Sequence, residues 1–307
     1  MVTIKDGVAT LLDACLEVKA GEKVLYLYDD KHSSMAPRFK EACIERHLCF
    51  EPYEIENPHE TPGRVVILTE FDYNIGVFNL TKSVWHTEQR KAAKAKSKRL
   101  VEIIADDSNF DEPVCCVKPN NEKVKAIINR TRPKIKEGDN FCITAPGGTR
   151  VWGVILTTPF FEGGDYKDEG GDFPFGEIGF SPKPGSVFGT VVFDLKIQHV
   201  GFTDKDILSV AISENRIVKA EGRLSEEYLS VIEEYEAHNS RYITEVAFGI
   251  NPDAAQSVSD VNHIIEEKIL GTAHFGHGAR GRGGWFHFDG VIKDPTIKIG
   301  DCVIMQP

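Results

Sequence analysis

Short β-rich runs alternate with helix-like stretches over the first 110 residues, and that alternation restricts the fold more than any other feature of the chain. Val2 to Val18 carries apolar residues at helical spacing, Gly21 interrupts it, and Lys23-Val-Leu-Tyr-Leu-Tyr28 is a compact β-rich run. Residues 35–48 read as helix again and Phe50 to Ile55 as extended chain. Arg64-Val-Val-Ile-Leu68, Asn74 to Asn79 and Leu100 to Ile104 read as buried strands. Such units predict a doubly wound α/β layer with a mainly parallel sheet, and they put Asp29 and Asp30 in its first βα loop.

The pattern changes near residues 135–140. A charged helix predicted over 119–138 stops at Gly138, and from Asn140 onward the segments are long, strand-like and punctuated by turns. Two helices interrupt them, at Ser225–His238 and near Ser257–Lys268. The expectation is a Rossmann-like α/β domain over 1–137 and an α+β domain over 138–307, a size at which two cores are normal.

Charge narrows the partners. Thirty-six basic against 47 acidic residues leave a net charge of −11, which disfavours a nucleic acid or an anionic membrane and suits a small molecule or a peptide. No run approaches a membrane span and the first residues carry no apolar secretory stretch, so a cytoplasmic protein is expected. The seven cysteines form no Cys-x-x-Cys pair, so a thiolate zinc site is not expected; reduced, mostly buried thiols are. Six basic residues, Arg90, Lys91, Lys94, Lys96, Lys98 and Arg99, crowd one short stretch, which reads as a solvated helix face.

The chemistry concentrates further on. Residues 271–289 place His274, His277, His287 and Asp289 around a glycine-rich loop, and imidazole with carboxylate is the ordinary donor set for zinc, iron, cobalt or manganese. His287-Phe-Asp289 on an extended segment points both ligands to one face. Two upstream segments add carboxylates beside glycines. One is Glu177 in Phe175-Gly-Glu-Ile-Gly. The other is Glu245, inside an apolar run where an uncompensated carboxylate would be costly to bury. Each has a plainer reading: Glu177 exposed on a turn, Glu245 on the polar face of a strand, His274 as a core histidine.

These segments, taken in order, carry a resemblance. Gly-Glu177, Glu245-Val-Ala-Phe-Gly-Ile-Asn-Pro, Lys268-Ile-Leu-Gly-Thr-Ala-His274 and His287-Phe-Asp289 resemble the metal-binding half of the aminopeptidase T (M29) metallopeptidases, over roughly residues 140–304. The resemblance implies a catalytic second domain holding one or two divalent ions (zinc, cobalt or manganese) on Glu177, Glu245, His274, His287 and Asp289. Glu177 and Glu245 are then also catalytic positions. The implied reaction is attack of a metal-activated water on a peptide or amide carbonyl, and the implied assembly is a homodimer.

The chain departs from that family in one place. Residues 275–286 hold no tyrosine where the family has one, but they do hold His277, Arg280 and Arg282. His277 could replace the missing ligand, and either arginine could bind a substrate carboxylate in bidentate fashion; a solvated loop is the alternative. The chain also resembles the 2,5-dihydroxypyridine dioxygenases, which implies a single ferrous iron, although it carries glutamate rather than histidine at 245. A peptide-binding protein on the same fold is the third reading.

Overall fold

The computed structural model describes residues 6–56, 66–96, 98–119, 121–168, 170–203, 205–256, 265–278 and 286–307. The chain forms two compact units. One comprises Met1–Asn121 with Gly164–Phe175 and Gln256–Ser259; the other comprises Glu122–Gly163, Gly176–Ala255 and Asp260–Pro307.

The first unit is built on β1 (Lys23–Tyr28), β2 (Cys49–Glu54), β3 (Ile75–Asn79) and β4 (Arg99–Ile103). Its fifth strand is Gly170–Phe173, numbered β8 because β5 (Asn140–Thr144), β6 (Arg150–Val154) and β7 (Phe160–Glu162) precede it in the chain. All neighbours in the order β2-β1-β3-β4-β8 run parallel. Every residue of β3 and β4 is buried, as expected when helices cover both faces of a parallel sheet. Leu25, Leu27, Phe78, Leu80, Val84 and Leu100 form part of its core.

The described part of the run Arg64–Leu68 is not a strand. Residues 64 and 65 lie outside the described part, and Ile67–Glu70 is a helical turn whose Ile67 and Leu68 are buried in that core. A short apolar run satisfies a buried helix as well as a strand, so periodicity alone misassigned it. The helix expected over 35–48 is Ala36–Glu45, and that expected over 119–138 is Glu122–Thr131 with a 3-10 turn at Arg132–Lys134, where Pro133 ends the α-helical hydrogen bonding. Residues 257–264 of the helix expected near Ser257–Lys268 lie outside the described part; Ile265–Lys268 is a 3-10 turn. No described helix is long and apolar enough to cross a membrane. All seven cysteines are free thiols, but only Cys15, Cys43 and Cys115 are buried.

The second unit carries β9 (Glu177–Phe180), β10 (Phe188–Phe193), β11 (Lys196–Ile197), β12 (Leu208–Ser213), β13 (Arg216–Glu221), β14 (Ile243–Gly249), β15 (Thr272–Gly278), β16 (His287–Lys293), β17 (Thr296–Ile299) and β18 (Cys302–Met305). They form two antiparallel sheets, a seven-stranded one ordered β13-β12-β10-β6-β5-β17-β18 and a six-stranded one ordered β11-β16-β15-β14-β9-β7. Between them lies an aromatic core. Phe141 of β5 meets Phe180 of β9 at 5.2 Å, and Phe193 of β10 meets Phe275 of β15 at 6.4 Å. That packing leaves the other face of the six-stranded sheet for polar side chains.

Candidate metal centre

Directly opposed residues of an antiparallel sheet share a face, so the register shows which side chains meet. Glu162 pairs with Glu177, and Glu177 with Gly249. Gly179, Ala247, His274 and Val291 form a second row, and Glu245, Gly276 and Asp289 a third. His287 sits opposite Gly278 at the end of the same face. The five residues expected from sequence to act as ligands therefore lie on one face of four adjacent strands, although they span more than a hundred residues of chain.

Small residues make the floor. A methyl group on Gly276 would lie 2.6 Å from His287 Cε1 and 2.8 Å from Glu245 Cβ, so only glycine lets those two side chains converge. On Gly179 it would lie 2.5 Å from the Cβ of Ala247.

Above this floor the donors form two linked groups. His274 Nε2 lies 3.3 Å from Glu177 Oε2, while His287 Nε2 lies 3.5 Å from Asp289 Oδ1 and 3.6 Å from Glu245 Oε2. Glu245 joins them, because ligand atoms of Glu177, Glu245 and His274 all fall within 4.8 Å of one another. Glu177, Glu245 and His274 are each at most 5% exposed. Among the described residues, His274 Nδ1 and Asp289 Oδ1 have no hydrogen-bond partner. Buried donors and acceptors of this kind are normally satisfied, so these atoms fit a cluster built around cations.

Besides Glu162 of the edge strand β7, two partners were missed by sequence reasoning. Lys268, fully buried, holds its ammonium 3.0 Å from Glu177 Oε2, 3.0 Å from Glu267 Oε1 and 3.4 Å from Glu162 Oε2. Glu267, 6% exposed, brings its carboxylate within 4.8 Å of ligand atoms of His274 and Asp289. Both come from the 3-10 turn Ile265–Lys268, where no two-residue period marks an inward face; a lysine six residues before a candidate ligand was the one available signal.

The electrostatics follow from burial and these neighbours. Burial alone would raise the Glu177 carboxyl, but Lys268 and His274 outweigh it and hold it well below the usual range. Burial pushes Glu267 the other way, well above that range, with Lys268 only partly offsetting it. His274 is raised to about 9, because Glu267, Glu177 and Asp289 together overcome a burial that opposes its charge. Asp289, despite its burial, is held low by His287.

His277 does not join the site. It lies on the opposite face of β15, fully buried, stacked on Phe288 at 4.4 Å. Its Nδ1 donates to the Phe288 carbonyl at 3.2 Å and its Nε2 accepts from the Tyr228 hydroxyl at 2.7 Å. Burial lowers it to about 4, which keeps it neutral. The expectation that it binds a ligand or substrate is thus corrected: it is a satisfied core histidine, three residues along a strand from His274 and so on the other side. Arg280 and Arg282 lie outside the described residues.

The fold has counterparts among solved structures that the chain matches over nearly its whole length. One is the 2,5-dihydroxypyridine dioxygenase of Pseudomonas putida KT2440, with a TM-score of 0.73 and 15% identity, covering 95% of this chain and 92% of that one. Another is AmpT of Thermus thermophilus, with a TM-score of 0.60 and 10% identity, covering 96% and 94%. At such identities the likeness is one of fold. No protein-family model and no curated protein sequence matches the chain.

Proposed function

We propose that the protein is a metal-dependent hydrolase of the aminopeptidase kind, holding two divalent ions on Glu177, Glu245, His274, His287 and Asp289. The observation that carries this reading is the charge on the polar face of the six-stranded sheet. Four carboxylates, Glu162, Glu177, Glu245 and Asp289, gather with the Lys268 ammonium and with a fifth carboxyl, Glu267, that burial keeps protonated. With the histidines neutral as ligands three negative charges remain, more than one divalent ion would neutralise.

Bound divalent ions would supply Lewis acidity and a water acidic enough to ionise near neutral pH. The chain's own groups do the remaining work. Glu245 spans the two donor groups and orients whatever both hold. Lys268 fixes Glu177 from behind. Glu267, a buried carboxyl that keeps its proton to unusually high pH, is suited to pass a proton to a leaving amine. A free amino terminus is the substrate feature such a carboxylate-rich pocket would favour.

The same fold serves a dioxygenase, but a facial iron triad uses two histidines and one carboxylate, and the extra carboxylates here would be surplus to it. A metal-free peptide-binding cleft would leave those charges buried and uncompensated. The test joins elemental analysis to activity. Protein loaded with zinc, cobalt or manganese should hold about two ions per chain and release p-nitroaniline from amino-acid anilides, while Glu245→Ala should lose both properties. One iron per chain and no anilide turnover with any of these metals would overturn the proposal.

A further inference from the structure

We propose that the first unit carries a second, separate binding site, for a small phosphate-bearing anion, at the amino ends of its parallel strands. A cavity of about 280 Å³ opens there, lined by Lys19, Lys96, Lys98, Arg99 and Lys167 against one carboxylate, Glu22. Lys19 and Glu22 come from the chain entering β1, Lys96, Lys98 and Arg99 from the joint leading into β4, and Lys167 from the approach to β8. Tyr73 and Asn74, just ahead of β3, complete the lining.

The basic stretch of 90–99 is therefore not one solvated helix face. Its helix is Glu88–Ala95, where Lys91 pairs with Glu88 and Arg90 lies over the Trp85 ring. Lys96, Lys98 and Arg99 lie past its end and turn to the cavity. Arg99 is the buried base, its guanidinium 2.5 Å from Glu22 and 2.7 Å from the Leu16 carbonyl. Lys98 sits over the Tyr73 ring at 4.6 Å and donates to the Tyr73 carbonyl, and Lys96 donates to the Thr69 carbonyl at 3.3 Å. Carbonyl partners orient these ammonium groups, and Asp72, held mainly by Lys23, offsets the charge of Lys98 only in part. Lys167 has Asp165 at 3.4 Å.

Glu22 balances Arg99, and Asp165, Glu17 and Asp168 surround Lys167, so the excess positive charge falls on Lys19, Lys96 and Lys98, whose mutual repulsion runs against the overall field of a chain of net charge −11. An anion seated among them relieves that repulsion. A single carboxylate would balance little of it, whereas a phosphate monoester or pyrophosphate presents two or more charges and several acceptor oxygens to ammonium donors arriving from different sides. The chain's net charge opposes a long polyanion, which favours a small molecule over a nucleic acid. Open α/β sheets usually hold ligands at the carboxyl ends of their strands, so this position marks a separate function.

The test is calorimetric titration of the full-length chain with pyrophosphate and with ADP, each at low and high salt. Pyrophosphate should bind with a dissociation constant below about 1 mM at low salt and weaken as salt rises. Lys96→Glu combined with Lys167→Glu, both at exposed positions, should weaken it at least about tenfold with unchanged circular dichroism and melting temperature. Lys19→Glu is the substitute should that pair fail to fold. ADP binding as tightly as pyrophosphate identifies the phosphate groups as what is recognised, and tighter binding adds the nucleoside. The proposal is overturned by no heat at about 5 mM pyrophosphate, by equal affinity in the variant, as phosphate bound to metal would give, or by an oligonucleotide binding more tightly than pyrophosphate.

Discussion

Lys268 is the residue on which the most buried charge depends. Its ammonium has no exposure and lies within 3.4 Å of three carboxylates, so its removal leaves those groups facing one another in a medium that cannot screen them. Lys268→Met is expected to cost about 3–5 kcal/mol, read as a fall in the denaturation midpoint of metal-stripped protein; a midpoint within error of the parent would show that the carboxylates do not rely on it. His277 makes a different prediction. Its ring is neutral in the folded chain down to about pH 4, while in the unfolded chain it takes a proton near pH 6.5. Above that range both states are neutral and it contributes nothing to pH dependence. As pH falls from 6.5 towards 4 only the unfolded state gains the proton, so stability drops by up to about 3 kcal/mol. His277→Gln, which still offers the Tyr228 hydroxyl an acceptor, should flatten the unfolding free energy across that window relative to wild type.

At the scale of elements, the site rests on strand parity and a glycine floor. Gly276 stands between Glu245 and Asp289 and has no room for a Cβ beside His287. Gly276→Ala should push the His287 imidazole aside and lower metal content from about two ions per chain to one, with the Glu177–His274 half retained; a full complement of metal in that variant would show that His287 is not a ligand. Parity also explains what was legible in the sequence. Glu177, Glu245, His274, His287 and Asp289 could be found because each sits in a strand beside glycine or alternating apolar residues. Glu162 and the pair Glu267 and Lys268 could not, since a three-residue edge strand and a 3-10 turn carry no periodic signal. His277 misled because the segment reads as a glycine-rich loop. Once it is a strand, the odd spacing from His274 assigns it to the core. The strands β1, β3 and β4 of the parallel sheet were visible in their apolar runs; β8 was not, because Gly170–Phe173 has a single large apolar side chain, and at Ile67–Leu68 four consecutive apolar residues fit either structure.

For the whole molecule, the balance between a chain of net charge −11 and its proposed ions ties folding to metal. Chelation should lower the melting temperature, and zinc or cobalt at a hundredfold excess over the dissociation constant should restore about 2.7 kcal/mol per site. A melting temperature indifferent to both treatments would count against any ion on this face. The six-stranded sheet also has a consequence for how the second unit can assemble. One face carries carboxylates, imidazoles and glycines, and the other carries Phe275, His277 and Phe288 packed with Tyr228 and Phe193. If β15 slid by one residue against its neighbours, His274 would enter the aromatic layer and Phe275 would stand among the acids. Misaligned pairings are thereby penalised on both faces at once, so side-chain parity alone selects the register of this sheet.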